Sequence, residues 1–133
     1  MAAFNHDQVV QALALRIERA PRYALVKYFV PWGDAKTDLV GSFYPDVTCL
    51  RREGKTKLMI EVLTPYSFED TDEVRRLEGL SSYCAANQWE YYLACADEGT
   101  KKLTLQKIEG RPIRPKAVWV TSDVPFTDLV SVQ

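Results

Sequence analysis

Histidine occurs only once in the 133-residue chain, at His6, and the three cysteines, Cys49, Cys84 and Cys95, are widely separated with no Cys-x-x-Cys pair. A structural zinc site therefore lacks ligands at usable spacing, and a Ser-His or Cys-His nucleophilic pair is all but excluded. An odd number of cysteines in apolar or strand-like contexts reads as reduced core residues. Any metal chemistry must rest on oxygen ligands. Net charge is also small, −1 from 17 basic and 18 acidic side chains, so the whole molecule does not attract polyanions as a strongly basic protein does. No apolar run approaches the roughly 20 residues of a membrane span. The opening Met-Ala-Ala-Phe-Asn-His-Asp has neither a basic region leading into an apolar stretch nor a small-residue cleavage site. The expectation is one cytoplasmic domain over 1–133 without a membrane partner, with its core at about 5–108 and a C-terminal extension over 109–133.

Hydrophobic residues make up 47% of the chain and charged residues 26%, a globular balance at a length that can bury a core without disulfide or metal staples. Asn5 with Gln8 marks a helix start. Val9, Val10, Leu13, Ile17 and Ala20 then recur on one face until Pro21. Tyr23 to Val30 reads as a strand broken by Pro31-Trp32-Gly33-Asp34, and the runs Asp46 to Arg52 and Lys57 to Leu63 form a hairpin through Arg-Glu-Gly-Lys. Asp70 or Thr71 caps a second helix, from about Thr71 to Ala86, that should pack Val74, Leu77, Leu80 and Cys84 inward and stop near Asn87. Trp89 to Ala96, Leu103 to Ile108 and a short Ala117 to Thr121 read as strands, with a loosely held tail from Ser122. A long helix between strands that can lie parallel predicts an α/β sandwich.

The chemistry-bearing feature is a pair of acids. Asp46 opens one strand of the hairpin and Glu61 lies near the end of the other, so antiparallel pairing brings the two carboxylates together. Alternation puts Met59, Glu61 and Leu63 on one face and Ile60 and Val62 on the other. An acid inside Leu-Met-Ile-Glu-Val-Leu is costly to bury unless a divalent cation or a basic side chain compensates it. Two carboxylates and a backbone carbonyl suit Mg²⁺, which activates water and stabilises a phosphodiester transition state. An acid paired with Arg or Lys is the structural alternative. Clusters of basic residues at Arg51 to Lys57 and Lys101 to Lys116 read as solvated loops and strand edges. Gly54-Lys55-Thr56 lacks the first glycine of a phosphate-binding loop, because Cys49 stands there.

Tyr44-Pro45-Asp46-Val47 followed by Ile60-Glu61-Val62-Leu63-Thr64-Pro65 resembles the motifs of the PD-(D/E)XK nuclease superfamily, and more narrowly its Uma-type restriction-endonuclease-like family. The family pattern of a helix ending in Tyr and then an aromatic strand has its counterparts in Tyr83 and Glu90-Tyr91-Tyr92-Leu93, so the resemblance spans roughly 44–107. It implies a restriction-endonuclease-like αβββαβ core with a mixed sheet flanked by helices. Asp46, Glu61 and the Val62 backbone would hold Mg²⁺ or Mn²⁺, Glu18 of the first helix would add a ligand, and DNA would be the substrate; homo-oligomerisation is left open. The superfamily lysine two residues after the Glu is replaced by Leu63, and its Uma-type position on the helix by Gly79. Lysine in this role orients water and offsets transition-state charge. Arg75, one turn before Gly79, with Arg76 nearly in line, is the expected substitute; an exposed pairing of Arg75 with Asp72 or Glu78 is its structural alternative. A catalytically inactive binding or interaction module on the same fold is the competing functional expectation.

Overall fold

A computed structural model describes residues 6–33, 36–63, 67–97 and 102–108, with the backbone alone at 95–97 and 102–104. The elements run α1 (His6–Glu18), β1 (Tyr23–Tyr28), β2 (Val47–Arg51), β3 (Thr56–Leu63), a 3-10 turn (Ser67–Glu69), α2 (Thr71–Asn87), β4 (Glu90–Asp97) and β5 (Lys102–Ile108). The expected strand over 117–121, the tail after it, and Thr64-Pro65 of the motif lie outside the described residues. Five strands form one mixed sheet in the order β1-β2-β3-β4-β5, antiparallel throughout except for the parallel pair β3 and β4. The chain is thus an α/β protein with a mixed sheet flanked by helices. Among the described residues no helix is long and apolar enough to cross a membrane.

β3 lies centrally, and its side chains are buried from Leu58 onward on both faces, which is why its sequence reads as a nearly unbroken apolar run. One face, carrying Leu58, Ile60, Val62, Tyr92 and Ala94, packs against Val10, Leu13, Ala14 and Ile17 of α1. The opposite face, carrying Met59, Leu63, Tyr91 and Leu93, packs against Leu77, Leu80 and Cys84 of α2, while Val74 is only half-buried. Helix α2 begins at Asp70, whose carboxylate accepts from Asp72 N and Glu73 N at 2.9 and 3.3 Å. It ends where Gln88 turns left-handed at φ 63°. Tyr91 Oη donates to Leu77 O at 3.2 Å and so ties the middle of α2 to β4.

Two local features set the end of the sheet where the acids stand. The hairpin between β2 and β3 keeps the register Val47 opposite Ile60 through Arg51 opposite Thr56, with Gly54 and Lys55 both left-handed in its turn. Ahead of β2, Val40 and Phe43 bridge across Gly41-Ser42; only a residue without Cβ takes the φ of 60° at Gly41 without strain. Thr37 Oγ1 donates to Pro45 O at 2.6 Å, and Phe29 N donates to Asp46 O at 3.0 Å. The loop is therefore fastened at Pro45 and Asp46, directly after Tyr44.

Candidate functional site: a buried carboxylate pair

One step beyond the Val47 to Ile60 pair, the antiparallel register sets Asp46 opposite Glu61. Asp46 N donates to Glu61 Oε2 at 2.6 Å, and Val62 N donates to Asp46 Oδ2 at 2.8 Å, so each acid is fixed by the backbone of the other's strand. Glu61 is fully buried and Asp46 nearly so. Val62 enters the group through its N–H, a hydrogen-bond donor and not a metal ligand.

Arg76 of α2 closes the group. Its Nη1 meets Glu61 Oε1 as an ion pair and lies 3.4 Å from Glu73 Oε1, while Nη2 donates to Tyr44 O at 2.9 Å and faces Asp46 Oδ1 at 3.5 Å. On the other side His6, in the first turn of α1, places Nε2 3.1 Å from Asp46 Oδ2 and Nδ1 3.0 Å from Asp7 Oδ1. Both ring nitrogens face carboxylate oxygens, a placement only the doubly protonated ring satisfies as a donor twice. Burial opposes that charge, but the hydrogen bonds and charges of Asp46 and Asp7 outweigh it and raise His6 to about 9. Glu61 moves well above the usual carboxylate range because burial and the Asp46 charge outweigh Arg76 and the Asp46 N–H. For Arg76, burial works against the charge, while Glu61, Asp46 and Glu73 hold it cationic. Asp46, His6, Glu73 and Arg76 line a cleft of about 300 Å³ together with Phe29, Phe43 and Tyr44.

Two expected residues are not brought to this group. Glu18 is exposed at the far end of α1, and twelve residues of helix rise put it roughly 18 Å from the turn that carries His6. The helix direction, N-terminus toward the acids, excludes it as a ligand. Arg75 is 75% exposed and pairs with Asp72 at 3.9 Å. Consecutive helical residues are rotated by about 100°, so Arg76, four before the buried Leu80, faces the sheet and Arg75 does not. The apolar period of α2 contained that signal. His6 was equally accessible, one turn before the buried Val10, although its singleness suggested only exclusions.

The donor set fits a hard divalent cation in type: one oxygen of each acid, Asp46 Oδ1 and Glu61 Oε1, accepts no backbone N–H among the described residues. Both oxygens face Arg76, so a metal would compete with the guanidinium. Among the described residues no cluster of three or more His, Cys, Asp or Glu side chains is arranged to hold a metal ion. No protein-family model, curated protein or solved structure matches the chain.

Proposed function

We propose that this domain is a nuclease-like protein of the PD-(D/E)XK kind, hydrolysing DNA phosphodiesters with Mg²⁺ or Mn²⁺ in the cytoplasm. The observation that supports this reading is the convergence of Asp46, just ahead of β2, and Arg76 of α2 in the lining of a cleft, with Glu61 of β3 buried behind them and paired with Arg76. Asp46 and Glu61 would hold the metal. The bound ion would activate a water and polarise the phosphodiester. Arg76 would supply the fixed cation that Leu63 and Gly79 leave missing, set against charge that develops on the phosphate. The backbone N–H groups of Asp46 and Val62 hold the carboxylates in orientation. In this reading Arg76, not Arg75, carries the compensating role.

Calorimetric titration with Mn²⁺ and cleavage of single- and double-stranded DNA test the proposal. Saturable binding and cleavage should both disappear in Asp46→Asn and Glu61→Gln, with the fold checked by circular dichroism. Cleavage that survives both substitutions removes the site. A second reading, an inactive binding module on this fold, is favoured by one observation: Arg76 already stands at the remaining oxygen of each acid. It predicts no metal binding at millimolar concentration in the wild type.

A further inference from the structure

The cleft has a wall that the acid cluster does not explain. Phe29, at the end of β1, and Tyr44, two residues before Asp46, stack with centroids 4.8 Å apart and planes within 12°. Lys36 Nζ lies 5.9 Å from the Phe29 centroid and 5.6 Å from that of Tyr44. An ammonium capping the outer face of one ring would be much farther from the second. Near-equal distances put it beside the pair and off the outer face of Tyr44, and Tyr44 is 36% exposed. Both rings line the cleft that holds Asp46 and Arg76, and Arg76 donates to the Tyr44 carbonyl. The stacked rings, Asp46 and Arg76 are therefore parts of one wall, with Lys36 flanking the rings.

We infer that Phe29, Tyr44 and Lys36 form a subsite for one unpaired nucleotide, its base on the Tyr44 ring and its phosphate on Lys36. The inference rests on the nuclease reading for its choice of polymer and deepens it: the substrate is single-stranded, or a strand unpaired next to the cleft. Base faces stack on aromatic rings without regard to sequence, and a neighbouring cation pairs with the backbone. The rings of a base pair within a duplex are covered by their neighbours and cannot take that position. A net charge of −1 fits a short contact of this kind better than a track along duplex DNA, which needs a broad basic surface.

The test measures binding of a fluorescent oligothymidylate and of a duplex to the full chain carrying Asp46→Asn, so that substrate is not consumed. The single strand should bind saturably and more tightly than the duplex. Tyr44→Ala should weaken it about tenfold, in line with the loss of one stacked base. Tyr44→Phe should retain binding, and Lys36→Ala should weaken it while lowering the salt dependence. Equal affinity for both forms, no saturable single-strand binding, or an unchanged Tyr44→Ala variant with native circular dichroism each overturns the subsite. The two readings fail separately. Asp46-dependent duplex cleavage that ignores Tyr44→Ala keeps the nuclease and removes the platform, whereas Tyr44-dependent binding without metal-dependent cleavage does the reverse.

Discussion

Two arginine–carboxylate groups stand at opposite ends of the sheet, and they differ in nearly every physical respect. At one end Arg51 grips Glu90 with two hydrogen bonds, of 3.1 and 2.8 Å, Tyr92 Oη donates to the same carboxylate at 2.6 Å, and Lys107 Nζ approaches to 4.0 Å. The hydrogen bond from Arg51 is the main reason Glu90 is held near 2. At the other end Glu61 is more deeply buried, shares one arginine with Asp46 and Glu73, and is pushed upward. Bidentate pairing of one arginine with one acid satisfies the charges it joins. Crowding two or three acids around one guanidinium leaves each with a share of a single cation, and such incompletely balanced charge is characteristic of sites that bind or react. The Glu90 group is a clasp between strands, and the Glu61 group is the candidate site.

The largest expected effect breaks the second group. Arg76→Ala strands a fully buried Glu61 and should cost about 3–5 kcal/mol at neutral pH, measured by urea denaturation. The loss should shrink on acidification: Arg76 lowers Glu61 against burial, so without it Glu61 rises further above 4.5, and the variant gains more stability than the wild type as pH falls. A pH-independent loss would mean that Glu61 does not carry the buried charge. Glu90→Gln should cost less, about 1–2 kcal/mol once partial solvent screening is allowed for. Its pH dependence has the opposite sign. The Glu90 contribution is complete above 4.5 and is lost as pH falls toward about 2, so acid-denaturation curves of variant and wild type should converge there.

Smaller effects sharpen the distinction on α2 itself. A Cβ at Gly79 meets only Phe43 Cε2, at an ordinary 3.7 Å, so Gly79→Lys is accommodated. It should stabilise the helix by roughly 0.5–1 kcal/mol, seen as a Tm rise of a few degrees. If the nuclease reading holds, it should also raise cleavage by adding a cation at the vacant lysine position. Arg75→Ala should change stability by less than about 0.5 kcal/mol and leave DNA cleavage unaltered. Loss of activity in Arg75→Ala with Arg76 intact would reverse the assignment of the two arginines.

The helix and strand spans were legible because they are local. The Asp70 cap, the left-handed turn through Gly54 and the period of Leu77, Leu80 and Cys84 each act within a few residues. One expected apolar contact, at Val74, is only half-buried because α2 turns the Arg76 and Leu80 face toward the sheet instead. The parallel pairing of β3 with β4 follows from the long crossover through α2, since parallel neighbours need such a connection.

The sequence alone determined that Asp46 and Glu61 meet, because a four-residue turn and a two-residue alternation fix which side chains oppose each other across a hairpin. It also determined that Glu61 needs a compensating cation, because its neighbours are apolar on both sides. Which cation answers was decided by tertiary structure. The rotation of α2 about its axis selects Arg76 over Arg75, and the direction of α1 brings His6 to Asp46 while carrying Glu18 away. Both choices depend on how a whole helix seats on the sheet, a sum of many apolar contacts across residues far apart in the chain, which no single spacing encodes.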